Sequence, residues 1–95
     1  STVLLSRKGS TLMLAQIMPN PTYGHTVVHF LNPKKQIIEI EILSVEGSVV
    51  YSEKAIRREG SQKQYIDFSN LASGIYFLRV TNQRGHFQTL KFQKL

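Results

Sequence analysis

The sequence predicts an all-β fold, an antiparallel β-sandwich of about seven strands, on three observations. Apolar residues alternate with period two, the alternating runs are filled by β-branched and aromatic residues, and turn chemistry interrupts them roughly every 8–12 residues. No stretch carries convincing helical periodicity. With 95 residues, 41% of them hydrophobic and 19% charged, the chain has the size of one domain and is too apolar for a disordered segment. It has no cysteine, so neither disulfides nor a thiolate metal site holds it together, and stability must come from the sheet core.

The first expected strand is Thr11 to Ile17, ended by Met18-Pro19-Asn20-Pro21, where two prolines remove two backbone donors. In the second, Thr26 to Leu31, residues Thr26, Val28 and Phe30 share one face and Val27, His29 and Leu31 the other; Asn32-Pro33-Lys34-Lys35 ends it. The third, Gln36 to Leu43, is the clearest: Ile38, Ile40 and Ile42 point one way while Glu39 and Glu41 point the other, the mark of a strand with one wet face. Gly47 supplies the positive-φ position of a hairpin turn into the fourth strand, Val49 to Lys54.

Ala55 to Ser61 is polar enough to read as a loop crossing between sheets before the fifth strand, Gln62 to Phe68. Ser69 to Gly74 turns the chain into the sixth, Ile75 to Thr81, whose nearly continuous apolar run fits a central strand covered on both faces. Asn82-Gln83-Arg84-Gly85 makes a hairpin into the seventh, His86 to Gln93. Seven short strands in this length fit an immunoglobulin-like sandwich over residues 11–95. Residues 1–10 read as a linker or N-terminal tail; an exposed edge strand could accept that segment from its own chain or a neighbour, which leaves a strand-exchanged homodimer open.

Twelve Lys and Arg against six acidic residues give a net charge of +6, which favours acidic partners such as nucleic acid, anionic lipid or lipopolysaccharide phosphates. The basic residues fall in pairs at expected turns and ends (Arg7-Lys8, Lys34-Lys35, Arg57-Arg58), where solvated charge is the ordinary outcome. No apolar run approaches the ~18 residues that span a bilayer. Ser1 to Lys8 lacks a signal-peptide layout, so an export signal is expected upstream of this segment.

Catalytic raw material is scarce. His25 and His29 would share a strand face, but with His86 elsewhere no further ligand completes a zinc site. Glu39 and Glu41, about 7 Å apart along a strand, alternate with isoleucines and read as a solvated face. Asp67 stands where a side-chain acceptor bonds turn amides. Gly74-Ile75-Tyr76 leads into a strand and lacks the Lys-Ser or Lys-Thr of a phosphate loop. Tyr76, Phe77, Phe87 and Phe92 among cations could form a nucleic-acid stacking platform, yet alternation puts half of them in the core. The reading is of a non-enzyme with no cofactor, no metal site and no nucleic-acid partner.

Three segments together resemble the type A sorting domain of type IX secretion substrates (the Por secretion tail family). They are Pro19-Asn20-Pro21-Thr22 ahead of a strand, Leu71-Ala72-Ser73-Gly74-Ile75-Tyr76-Phe77-Leu78-Arg79-Val80, and Lys91-Phe92-Gln93-Lys94-Leu95 at the extreme C-terminus. Between them, Ile42 to Val50 looks like the family's strand, turn glycine (Gly47) and next strand. The likeness covers about residues 17–95.

The resemblance implies a folded address on a passenger protein, carried to the periplasm, recognised by the outer-membrane translocon and brought to the outer membrane or cell surface. In most members a sortase-like surface cysteine peptidase then removes the domain; others keep it as a docking component. Recognition is expected at the last strand and the turn before the sixth: Leu71, Gly74, Tyr76, Lys91, Phe92, Lys94 and Leu95. Pro19, Asn20, Pro21, Gly47, Gly74 and Gly85 are expected to shape the fold. Two other functions compete: an immunoglobulin-like accessory module binding carbohydrate or protein in adhesion, and a basic nucleic-acid binder of the oligonucleotide-barrel type, which fold alone does not separate from sorting.

Overall fold

The computed structural model of the chain describes residues 15–95. The expected tail and the Thr11–Leu14 part of the first expected strand lie outside the described residues. Seven strands follow one another, β1 (Ala15–Met18), β2 (His25–Asn32), β3 (Gln36–Ser44), β4 (Val49–Arg57), β5 (Gly60–Asp67), β6 (Gly74–Thr81) and β7 (Phe87–Lys94). They form two antiparallel sheets, ordered β1-β2-β5 and β4-β3-β6-β7, which pack as an immunoglobulin-like sandwich.

Alternation builds the core as the sequence predicts. Ile38, Ile40 and Ile42 of β3 are buried while Glu39 and Glu41 between them face outward. Leu78 and Val80 of β6 meet Val28 and Phe30 of β2 and Ile66 of β5 in one cluster. Each buried aliphatic of this size contributes roughly 1.5–3 kcal/mol relative to exposure.

Two expectations change. The polar segment 55–61 is mostly strand: β4 runs on to Arg57, only Arg58 and Glu59 turn, and β5 starts at Gly60. β4 and β5 are edge strands of their sheets, where polar side chains have water on one side and need no loop. Arg57 shows how: its guanidinium reaches back to Glu53 at 3.0 Å, hydrogen-bonds Gln64 on the other sheet, and lies 5.6 Å above the Phe30 ring. β6 is central in its sheet, between β3 and β7, but covered on one face only. Ile75 is exposed and Phe77 and Arg79 half-exposed on the outer surface, where Arg79 donates two hydrogen bonds to Glu41 at 2.8 and 3.0 Å. No second layer lies over that face among the described residues.

Antiparallel register sorts the connections into two poles. One pole collects the β1–β2 loop, the β3–β4 hairpin at Gly47, the β5–β6 turn and the end of β7. The other collects the β2–β3 loop, the β4–β5 turn and the β6–β7 hairpin at Gly85.

Candidate functional site

The first motif segment, the start of the second (Leu71–Tyr76) and the end of the third meet at the first pole. The β1–β2 loop, with cis peptide bonds before Pro19 and Pro21, brings Asn20 and Thr22 alongside the last residues of β7. Thr22 N–H donates to the Gln93 carbonyl at 3.0 Å, and Leu95 N–H donates to the Thr22 carbonyl at 2.7 Å. The Asn20 side-chain oxygen accepts the Gln93 N–H at 3.0 Å. Thr22 and Lys94 thus form a parallel bridge, while the strand pairs among the described residues are antiparallel.

Thr22 is fully buried and its hydroxyl serves the loop itself. It accepts the Gly24 N–H at 3.0 Å and donates to the His25 carbonyl at 3.3 Å. Gly24 in turn ties this loop to the β5–β6 turn: its carbonyl accepts the Phe68 N–H at 2.8 Å. A Cβ at Gly24 would stand 2.4 Å from Ser69 Cα, and its φ of +123° is one that side-chain-bearing residues rarely adopt, so only glycine permits this approach.

Beneath the clamp lies an aromatic cluster. Phe68 and Phe92 meet edge-on at 5.4 Å between centroids, and Tyr76 stacks on Phe92 at 6.0 Å. The Tyr76 hydroxyl leaves this cluster to donate to the Ala72 carbonyl at 2.7 Å, which braces the Leu71–Gly74 turn. Of the residues expected to mark recognition, Tyr76 and Phe92 are buried and Leu71 packs partly into the core. Lys94 is only 7% exposed, next to Gly74 in register, with its ammonium 3.4 Å from the Leu95 carbonyl. Lys91 and Leu95 stand in solvent. Between Gln16–Asn20 and Leu90–Lys91 runs an open groove of about 310 Å³.

Among the structural positions, Pro19, Asn20 and Pro21 form the clamp, while Gly47 and Gly85 turn their hairpins with φ of +91° and +90°. Thr22 and Gly24 carry as much of the pole as the prolines do, and only the run Thr22-Tyr23-Gly24 between two strands hints at it in the sequence.

A family model described as a secretion system C-terminal sorting domain matches residues 16–94, from β1 to the last residue of β7. The chain belongs to this family. No curated protein and no solved structure gives a match, so the family model and the geometry carry the assignment together. The sorting domain is the C-terminal signal of type IX secretion, and it implies export of the attached passenger to the cell surface or outer membrane. Its family is one of sorting signals, not of catalysts. The stretch that the family model spans includes the first two motif segments and the third as far as Lys94.

Proposed function

We propose that the sorting domain is read as a folded address by the outer-membrane translocon of the type IX system, while its passenger is in the periplasm. Contact is made through the outer edge of β7 and the pole beside it. The observation that carries this reading is the state of that edge. The outward main-chain groups of Gln93 and Leu95 are taken by Asn20 and Thr22. By strand alternation those of Phe87, Thr89 and Lys91 face the same way, and they have no backbone partner among the described residues.

A partner strand can therefore add along Phe87–Lys91 and abut the clamp. Lys91 and Leu95, with the Leu71–Gly74 turn, offer side chains for direct contact. Tyr76, Phe92 and Lys94 act from beneath by holding the turn and the strand in place, and a sortase-like peptidase then removes the domain at the surface.

The test is a fusion of a periplasmic reporter to the domain in a cell with a working type IX apparatus. The reporter reaches the surface with the unaltered domain and stays in the periplasm when the apparatus is disabled. Thr89→Pro removes an outward donor that has no backbone partner among the described residues, so the domain should stay folded by circular dichroism while surface display falls. Full display with Thr89→Pro would refute strand addition, and display without the apparatus would refute the sorting role.

A further inference from the structure

The second pole carries a different chemistry. Lys34 and Lys35 in the β2–β3 loop, Arg58 in the β4–β5 turn and Arg84 in the β6–β7 hairpin are all exposed, and none makes an ion pair among the described residues. Arg57 and Arg79 differ, being held by Glu53 and Glu41. Side-chain amides, buried at Asn32 and Gln36 and exposed at Gln83, fix the three connections to one another. Asn32 donates from one side-chain nitrogen to the Arg57 and Arg58 carbonyls at 3.0 and 2.9 Å. Gln36 donates to the Asn32 side-chain oxygen at 2.9 Å, and the Gln83 side chain accepts the Ile37 N–H at 2.9 Å. One carboxylate, Glu59, shares the pole.

Exposed apolar side chains stand at the same ends of the strands, Leu31 on the outer face of one sheet and Ile37, Ile56 and Phe87 on that of the other. Ile56 is 66% and Phe87 63% exposed, and Leu31 and Ile37 are also in solvent. Ile37 and Ile56 stand opposite each other in register at the pole end of β3 and β4.

We propose that this pole docks on an anionic phospholipid surface, the four cations meeting headgroup phosphates while Leu31, Ile37, Ile56 and Phe87 enter the interfacial layer. Cations alone would suit any polyanion. Exposed aliphatic side chains beside them suit a lipid interface, which takes up both charge and apolar surface. A nucleic-acid platform instead needs several aromatic faces for stacking, and Phe87 is the one exposed Phe or Tyr at this pole among the described residues. Export to the outer membrane or cell surface brings the domain next to lipid before its removal. This docking goes beyond the sorting reading; the two surfaces share only Phe87, and the variants that test them leave it untouched, so each can fail alone.

Flotation of the 95-residue chain with vesicles of phosphatidylglycerol and phosphatidylethanolamine, against phosphatidylcholine vesicles, tests it. Binding to the anionic vesicles is expected to be at least about tenfold stronger and to weaken as salt screens the cations. Lys34→Ser with Lys35→Ser should weaken it roughly 25-fold, at roughly fivefold per cation near the surface. Lys54→Ser with Lys63→Ser removes the same charge higher on the strands and should change it by less than about threefold. Ile56→Ser should weaken the part that survives high salt. Circular dichroism checks that each variant is folded. Equal binding to neutral vesicles, equal loss in the two double variants, or a single-stranded oligonucleotide that outcompetes the anionic vesicles would overturn the proposal.

Discussion

The two poles of the sandwich solve one problem by opposite means. At each, loops from both sheets bury backbone polar groups that need partners. At the motif pole, main chain does most of the work: Thr22 pairs with Gln93 and Leu95, and Gly24 lies against Phe68 and Ser69. At the basic pole, side-chain amides do it, with Asn32, Gln36 and Gln83 bridging the loops. Main-chain closure demands particular shapes, hence Pro and Gly. Amide closure demands particular hydrogen-bond inventories and leaves the loop tips free to carry charge.

The largest effect expected from this contrast is at Gly24. Gly24→Ala would combine a backbone conformation costing about 1–3 kcal/mol with a backbone clash of similar size, a loss of about 2–6 kcal/mol. Gly47 has a similar positive φ but open space around it, so Gly47→Ala should cost only the conformational share, about 1–3 kcal/mol. Urea unfolding of both variants checks this. Equal losses would mean that the Gly24–Ser69 approach is not what holds the motif pole.

Next comes the amide closure. Asn32→Ala removes a fully buried amide, leaving the Arg57 carbonyl and the Gln36 side-chain amide without their partner and the Arg58 carbonyl with Gln62 alone. The expected loss is about 2–4 kcal/mol, the cost of several unmade buried hydrogen bonds, read again by urea unfolding. A loss below ~0.5 kcal/mol, the scale of an ordinary surface change, would show that water can replace this network.

A smaller change separates stability from recognition. Thr22→Val keeps the shape but strands the Gly24 N–H, a loss of about 1–3 kcal/mol. Because it loosens the clamp beside β7, surface display of a fused reporter should fall further than for an Asn32 variant of matched stability. Matched display would mean that the clamp matters only for folding.

How far the sequence discloses each region follows from the same contrast. Alternation in β3 and the turn glycine Gly47 depend on neighbours along the chain, so strands, faces and hairpins can be read directly. Punctuation at Pro19-Asn20-Pro21 likewise marks a boundary, though not that Asn20 would accept a hydrogen bond from Gln93, 73 residues on. The need for glycine at position 24 comes from Ser69 on another loop, and no local pattern carries that. Asn32 next to Pro33 reads as ordinary turn chemistry, while its burial depends on where Arg57 and Arg58 fall. The polar run 55–61 misleads because polarity marks a sheet edge as readily as a loop.

The smallest predicted effect concerns acid, which should touch one pole only. The Asp67 carboxylate accepts hydrogen bonds from Ser69 N–H at 3.0 Å and Ser69 Oγ at 2.7 Å. The backbone bond first, then the hydroxyl, holds its pKa below the usual aspartate value, with a lesser contribution from His25. A carboxyl depressed in this way stabilises the fold above its unfolded-state pKa, and the contribution is lost as pH falls through the lower, folded-state value. Since Ser69 is the residue on which Gly24 rests, protonation of Asp67 should loosen the contact between the β1–β2 and β5–β6 loops. The amides of Asn32, Gln36 and Gln83 do not titrate, so the hydrogen bonds they make between the loops of the basic pole should show no step at the Asp67 midpoint. An NMR titration of the Asp67 carboxyl is expected to give a midpoint below that of an unstructured peptide. Exchange of the Phe68 amide, bonded to Gly24, should quicken through the same midpoint while that of Ile37, bonded to Gln83, shows no added step there. Asp67→Asn, which keeps an acceptor oxygen, should abolish the acid step at Phe68. A midpoint at or above the peptide value, or a matching step at Ile37, would show that Asp67 has no special hold on the motif pole.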